Sequence, residues 1–251
     1  MTFYPQKFLK KTLTGNNQHK KFSYSHGGII RGDTNTKAIA IVFTGDEFGD
    51  GGNFIANTLK EKKVKASFFL TGNFYRNPAF NKLIKHLKKD GHYLGSHSDK
   101  HLLYCDWYKR DSLLVTKEEF SSDLQHSYTA MNGFGITKKT ASFFLPPYEW
   151  YNDSITAWTH QSRLQLINFT PGTLSNADYT TPNMKNYRSS DTIYQSITRY
   201  EQSHGLNGFI LLLHIGTDAK RTDKMYHRLG RLVDYLKQKQ YRLVRVDELL
   251  K

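Results

Sequence analysis

Short apolar runs alternate with helix-like segments along most of this chain, and this alternation limits the fold more than any other feature. The run AIAIVF at residues 38–43 is continuously apolar, as expected of a strand buried on both faces. Six comparable runs follow, at residues 66–70, 92–95, 141–145, 164–169, 208–213 and 241–246. The segments between them carry apolar residues at helical spacing, without a hairpin signal. The pattern predicts an α/β fold, a (β/α) barrel of about seven parallel strands rather than an open sheet.

The domain organisation follows from length and local composition. A chain of 251 residues can form one large α/β domain or two small ones. No linker rich in Pro, Gly or Ser divides it, so we predict one barrel domain over residues 37–251. Residues 1–36 contain Gly, Asn, Lys and His with little periodicity, and we predict an irregular N-terminal arm there.

The net charge of +14 would suit an acidic partner. The lysines, however, fall in short groups on predicted helix faces and not in one stripe interleaved with aromatic residues. These groups are Lys60, Lys62, Lys63 and Lys65, and Lys85, Lys88 and Lys89. We therefore expect no specific nucleic-acid partner. The single cysteine, Cys105, excludes an intrachain disulfide and a cysteine-rich metal site.

Membrane and export signals are not evident in the sequence. The longest apolar run, residues 209–213, is far too short to cross a bilayer, so we expect no transmembrane segment. Residues 1–18 lack the apolar segment of a signal peptide. The compartment and the oligomeric state are left open by these observations.

Two histidines four residues apart follow the third apolar run. His97 and His101 lie in the sequence SHSDKH at residues 96–101, and this spacing brings both imidazoles to one face, where they can share a divalent metal such as zinc. A catalytic zinc takes about three protein ligands, so a carboxylate from elsewhere is required. The alternative is a surface loop with two unrelated histidines among the 11 of this chain.

Polar residues follow several of the other predicted strands. In a parallel barrel, functional groups cluster beyond the carboxyl ends of the strands. Those positions are occupied by Asp46, Thr71, His97, His101, residues 146–149, Thr170 and His214. We predict Asp46, His97 and His101 as metal ligands, with room for a water, and His214 as the acid that protonates a leaving amine or alcohol. The alternative for His214 is a core histidine at a strand end.

The motifs resemble those of the polysaccharide deacetylases, the NodB-homology esterases of carbohydrate esterase family four. SHSDKH at residues 96–101 matches that family's Ser-His-Ser/Thr-x-x-His motif. ILLLH at residues 210–214 matches the apolar strand that ends in the catalytic-acid histidine, and FLPPY at residues 144–148 matches most of an Arg-x-Pro-Tyr-type segment. The resemblance runs in register from about residue 37 to the C-terminus.

The resemblance implies a distorted (β/α) barrel and a metal-dependent hydrolase, either a carbohydrate esterase or an enzyme acting on non-peptide carbon–nitrogen bonds. Such an enzyme removes acetyl groups from an N-acetylated or O-acetylated oligo- or polysaccharide, with zinc or else cobalt or nickel. A carboxylate deprotonates the attacking water, and a backbone N–H, here that of Tyr148, holds the oxyanion. The family also favours an extracellular or periplasmic location.

Two positions depart from the family pattern. The paired aspartates after its first strand are reduced to Asp46 alone, and the arginine before its prolines is replaced by Leu145. A buried arginine without its carboxylate would leave an uncompensated charge, so the two losses belong together. They indicate either a rebuilt site or a retired one that acts as a carbohydrate-binding protein.

A rebuilt site needs a new general base. Glu149 is the first candidate, with a solvated loop carboxylate as its alternative, and Glu47 is the second. A further alternative is Asp46 as the base, with two histidines alone holding the metal.

Neighbouring residues are assigned supporting roles. By the resemblance, Asp178 would orient His214, with Asp218 as the alternative. Trp150 and Tyr151 are candidates for a sugar-binding platform.

Overall fold

A computed structural model of the chain describes residues 21–251, which form a curled sheet surrounded by helices. The strands are β1 (Ser23–Ser25), β2 (Gly28–Arg31), β3 (Ala38–Gly45), β4 (Ser67–Leu70), β5 (Tyr93–Ser96), β6 (Phe143–Phe144), β7 (Gln165–Leu166), β8 (Phe209–His214) and β9 (Arg242–Val244). The α-helices are α1 (Gly52–Glu61), α2 (Gly72–Arg76), α3 (Asn81–Lys89), α4 (Lys117–Asn132), α5 (Asp153–Gln161), α6 (Ser190–His204), α7 (Leu229–Gln238) and α8 (Val246–Leu249). Single 3₁₀ turns occur at Pro78–Phe80, Pro147–Glu149, Ser175–Tyr179 and Met225–Arg228.

The sheet confirms the predicted barrel architecture. The strands lie in the order β1-β2-β8-β3-β4-β5-β6-β7, and β9 pairs with the first half of β3. All pairings among β3 to β9 are parallel, so seven strands run in one direction. A bridge between Ile29 and Ile167 links β2 to the chain just after β7, which joins the two sides of the curled sheet.

An antiparallel hairpin corrects the predicted irregular arm. Strands β1 and β2 pair through Ser25 and Gly28, and β2 joins the edge of β8. The two turn residues, His26 and Gly27, both have positive φ, 43° and 73°, as a type I′ turn requires. Histidine is less typical there than asparagine or aspartate, so residues 26 and 27 carry little hairpin signal. Ile29 is buried and contributes to the core, while residues 1–20 of the predicted arm lie outside the described part of the chain.

The core lies between the sheet and the helices. All eight residues of β3 are buried, as its continuous apolar run predicts, and so are the first five residues of β8. Helix α3 shows how the outer layer is attached, because Leu83, Ile84 and Leu87 pack inward while the four lysines of the helix remain exposed. None of the helices within residues 21–251 has the length and apolar character that a membrane crossing requires.

Capping contacts define the starts of two helices. Thr116 and Glu119 form the capping box of α4, each side chain accepting a hydrogen bond from the other's N–H, at 3.1 and 2.7 Å. Asn152 caps α5 by accepting a bond from the N–H of Ile155. These contacts fix where two helices begin.

The strand register brings the candidate residues to one rim. Thr44 of β3 pairs with Phe69 of β4 on one side and with His214 of β8 on the other. Leu70, at the end of β4, pairs with Ser96 at the end of β5. The residues that follow β3, β4, β5 and β8 therefore emerge at the same end of the barrel.

Candidate active site

His97 is held in one tautomer immediately after β5. Its ring is 2% exposed, and Nδ1–H donates to the carbonyl oxygen of Leu145 at 2.8 Å. This bond leaves Nε2 as the nitrogen with a free lone pair. Burial, with a contribution from His101, lowers the pKa of His97 well below its usual value. The imidazole is therefore neutral at physiological pH, the form that can accept a proton or bind a metal.

His101 lies against His97 and Tyr148. Its ring centroid is 5.0 Å from that of His97 and 4.4 Å from that of Tyr148. The backbone of Ser98 and His101 is in the left-handed region, with φ of 73° and 55°, and Ser98 Oγ accepts the His101 N–H at 3.0 Å. Burial lowers the pKa of His101, His214 adds to this effect, and the charge of Asp46 opposes it.

A buried carboxylate, Asp123 of α4, supports the loop between the two histidines. It accepts the N–H groups of Asp99 and Lys100 at 3.0 and 3.1 Å and the hydroxyl of Tyr104 at 3.0 Å. Asp99 in turn forms two bonds with the Arg76 guanidinium, at 2.6 and 3.0 Å. Asp123 was not predicted from the sequence, where its only signal is an acidic residue within the buried stripe of α4.

The predicted three-ligand metal site is not assembled. Asp46 lies near His101, as its effect on the pKa of His101 requires, but Oδ1 of Asp46 accepts a bond from the Thr71 hydroxyl at 2.7 Å. Within residues 21–251, no group of three or more His, Cys, Asp or Glu side chains is arranged to hold a metal ion. The two neutral imidazoles fit a metal chemically, yet two ligands are fewer than a catalytic zinc requires. The residues as they stand therefore do not fit a complete metal centre.

Glu149 lies inside the site, as the first-ranked prediction for the base requires. Its side chain is 12% exposed, and Oε1 is 4.0 Å from Nε2 of His97. Burial raises the pKa of Glu149 to about 7, although the nearby His214 lowers it. The second candidate, Glu47, is exposed. A carboxyl group with a pKa near neutrality can both take up and release a proton under physiological conditions.

Two consecutive residues with strained backbone conformations direct this part of the chain toward the site. Tyr148 and Glu149 both have positive φ, 58° and 55°, which costs non-glycine residues about 1–3 kcal/mol each. The carbonyl of Glu149 is fixed by a bond from Asn168 Nδ2 at 2.8 Å. The N–H of Tyr148 donates no hydrogen bond to any group within residues 21–251. Consecutive strained residues of this kind are concentrated at functional sites.

His214, at the end of β8, is oriented by Asp178. Its Nδ1–H donates to Oδ1 of Asp178 at 2.6 Å, and its backbone N–H donates to Oδ2 at 2.9 Å. Burial alone would lower the pKa of His214, but the Asp178 carboxylate, helped by Glu149, raises it above its usual value. Asp218, the alternative, does not take this position, because its carboxylate accepts the Lys220 N–H within its own turn.

The segment that carries Asp178 is held in place by Arg221, a residue that was also not predicted from the sequence. The Arg221 side chain is fully buried and donates to the carbonyl oxygens of Thr180 and Arg188 and to the hydroxyl of Ser190. These contacts attach the irregular segment to the loop after β8. No short sequence pattern links Arg221 to partners more than 30 residues away.

The predicted role of Tyr151 in sugar binding is wrong. Tyr151 is 1% exposed, and its hydroxyl donates to the carbonyl oxygen of Ser25 at 2.9 Å, so its ring belongs to the core and cannot reach a substrate. Trp150 is half-buried, and its indole N–H donates to the carbonyl oxygen of Asp106 at 3.1 Å. Exposed rings at the rim include Trp107 and Tyr148, at 50% and 44% exposure, and Tyr179, whose ring centroid is 5.3 Å from that of His214.

Comparisons with known proteins agree on one family. Residues 31–167, more than half of the chain, match the sequence model of the polysaccharide deacetylase family. A curated relative, a peptidoglycan-N-acetylglucosamine deacetylase of Bacillus cereus, is 26% identical over 218 residues, which cover 86% of this chain and 90% of that protein.

Solved structures share the fold. A peptidoglycan N-acetylglucosamine deacetylase bound to a hydroxamate-type naphthyl benzamide superposes with a TM-score of 0.71 at 19% identity, covering 88% of this chain and 91% of that one. A pseudoenzyme of carbohydrate esterase family four from Bacillus anthracis gives a TM-score of 0.67 at 20% identity, covering 91% of this chain and 70% of that one. A mutant of that pseudoenzyme is described as having restored enzymatic activity.

Proposed function

The chain belongs to the polysaccharide deacetylase family, and on that premise we propose that it is a hydrolase that removes acetyl groups from an N-acetylated sugar of a glycan such as peptidoglycan. The observation that carries the proposal is geometric: Oε1 of Glu149 lies 4.0 Å from Nε2 of His97, and His214, oriented by Asp178, is near enough for Glu149 and His214 to influence each other's pKa. A carboxyl group and an imidazole that face one site can act as the base and the acid of one reaction.

In the proposed reaction, the Glu149 carboxylate takes a proton from a water molecule as that water attacks the acetyl carbonyl carbon. The oxyanion that forms is stabilised by the N–H of Tyr148, which is free of other partners within the described residues. His214 then transfers its Nε2 proton to the departing amine, and the carbon–nitrogen bond breaks to release acetate. Asp178 keeps His214 in the tautomer and charge state that this transfer needs.

A divalent metal, zinc or else cobalt or nickel, is part of the proposal as a separate component. His97, His101 and Asp46 are the candidate ligands, and Asp46 would have to leave Thr71 to join the two imidazoles. When bound, the metal would polarise the acetyl carbonyl and lower the pKa of water. Because the three groups do not form a complete site in this structure, the proton transfers above involve protein residues alone.

A second candidate function is glycan binding without catalysis. It is favoured by Leu145, which is fully buried where the resembling family has an arginine, and by the incomplete metal centre. The fold is also shared by a pseudoenzyme.

Acetate release separates these functions. We expect release from acetylated glucosamine oligomers or from peptidoglycan, measured with chelator and with added zinc, cobalt or nickel. Binding of these glycans without acetate release under any metal condition would support the second candidate. Activity that survives the double substitution His97→Ala and His101→Ala would refute the metal component.

A further inference from the structure

A tightly bonded loop holds one indole at the rim of the active site. The loop covers residues 105–113, whose ends meet in a bridge between Cys105 and Leu113. Oδ1 of Asp106 accepts the N–H groups of Tyr108 and Lys109 at 2.8 and 2.7 Å. Trp107 lies in the middle of this turn, and its side chain is 50% exposed.

The loop is also attached to the segment that carries the candidate base. Trp150 donates its indole N–H to the carbonyl oxygen of Asp106, and Arg110 donates to the carbonyl oxygen of Tyr151 at 2.7 Å. Asn152 donates to the carbonyl oxygen of Arg110 at 3.0 Å. These bonds fix the loop relative to Glu149, so the position of Trp107 is set in advance of binding.

The rings at this rim form a continuous row from Trp107 to the candidate active site. Trp107 contacts Tyr148 edge to face, with centroids 5.5 Å apart, and Tyr148 contacts His101 at 4.4 Å. Behind Trp107 lies Trp150, with centroids 5.7 Å apart, and the Arg110 guanidinium covers Trp150 at 3.9 Å. Trp107 thus packs against Trp150 and Tyr148 and is half exposed. Tyr148 contacts both Trp107 and His101.

Such a surface fits the apolar face of a sugar ring. The axial C–H groups at C1, C3 and C5 of a β-linked glucosamine unit lie on one face, and their partial positive charge is attracted by the negative face of an indole. An exposed aromatic surface beside a catalytic centre normally marks a ligand contact, because exposing it has a cost in water. Tyr108, the next residue, is 97% exposed and has no ring partner within residues 21–251, so it lacks this support.

We propose that Trp107 forms a subsite that stacks on the sugar residue next to the one that loses its acetyl group. The ligand class is a chain of β-linked N-acetylated aminosugars, and the protein recognises an oligosaccharide and not a single sugar. This inference rests on the proposed function, because it places the reacting sugar at Glu149 and His214. Its test is therefore a binding measurement that does not require acetate release.

The experiment measures binding of N-acetylglucosamine oligomers, from the monosaccharide to the tetrasaccharide, by titration calorimetry. Trp107→Ala should weaken tetrasaccharide binding roughly three- to tenfold and leave monosaccharide binding unchanged. Trp107→Phe should retain most of the affinity. The matched control, Tyr108→Ala, removes a neighbouring exposed ring. It should change neither the monosaccharide affinity nor the tetrasaccharide affinity.

In the second arm of the experiment, the same binding measurements are made with glycan fragments of peptidoglycan. An effect of Trp107→Ala confined to one of the two glycans supports the subsite and identifies the source of the sugar chain. Equal tetrasaccharide affinity of the native protein and Trp107→Ala would overturn the proposal, as would an equal loss for monosaccharide and tetrasaccharide. Length-dependent binding lost in Trp107→Ala, without acetate release by the native protein, would reject the proposed function and retain the subsite.

Discussion

Oε1 of Glu149 lies 4.0 Å from Nε2 of His97, the nitrogen left free when Nδ1–H of His97 bonds to the Leu145 carbonyl. The contact places a carboxyl group beside a neutral imidazole in a buried centre. It also shows how the position that lacks the family's arginine still contributes, because the backbone of Leu145 orients His97. The apolar side chain of Leu145 stands where the family has a charged arginine. The carboxylate of the site comes from Glu149, in the strained turn that follows Leu145.

Replacing Asp178 should make His214 a weaker base. In Asp178→Asn the charge that opposes the effect of burial is removed, so the pKa of His214 should fall from above its usual value. His214 would then lose its proton at a lower pH than in the native protein, and the alkaline limb of the activity profile should move in the same direction. NMR titration of the His214 ring measures the shift.

Asp218→Asn is the matched control, because its carboxylate bonds within its own turn. An unchanged His214 titration in Asp178→Asn, or an equal shift in Asp218→Asn, would contradict the assigned orientation.

Removing the Asp123 carboxylate should loosen the histidine loop. Asp123→Ala leaves the buried N–H of Asp99, the buried hydroxyl of Tyr104 and the part-buried N–H of Lys100 without their acceptor. Each unsatisfied buried donor costs about 1–3 kcal/mol, so the free energy of unfolding should fall by at least about that amount. Urea denaturation checks this, with Glu118→Ala, an exposed position on the same helix, as the control. Equal stability of the two variants would contradict the assigned role.

A buried histidine at the opposite end of β5 should make stability depend on pH. Burial lowers the pKa of His92 to about 4, and Nδ1 accepts the Ala66 N–H. In the unfolded chain the pKa is about 6.5, so the unfolded state binds a proton first as the pH falls. The stability contribution is complete above about pH 6.5 and is lost progressively down to about pH 4.

His92→Asn keeps an acceptor near the position of Nδ1 and removes the titration. Urea unfolding between neutral and acidic pH should show a flatter dependence in this variant than in the native protein. His126→Asn, at an exposed position, should retain the native slope. The same slope in all three proteins would exclude His92 as the source.

The sequence predicted the parallel barrel because the fully buried strands, such as β3, are continuous apolar runs with recognisable ends. It also predicted which loops meet, since strand order and direction bring the residues after β3, β5 and β8 to one rim. Local capping signals such as Thr116 with Glu119 were equally readable, because both partners lie within one helical turn.

Contacts between distant segments were not readable. Asp123 and Arg221 support their loops through backbone groups, which leave no trace in the residue types of their partners. The hairpin of β1 and β2 was missed because its turn uses a histidine at positive φ. Tyr151 was misassigned because an aromatic residue beside a functional segment packs inward or outward according to a backbone direction that the sequence does not specify.

Acetate release by Glu149→Gln tests the central claim most directly. The substitution keeps the shape of the side chain and removes its ability to take a proton, so kcat should fall by about a hundredfold or more, with little change in glycan binding. Glu47→Gln, at the exposed second candidate, should retain native activity. Full activity in Glu149→Gln, or its loss in Glu47→Gln alone, would contradict the account.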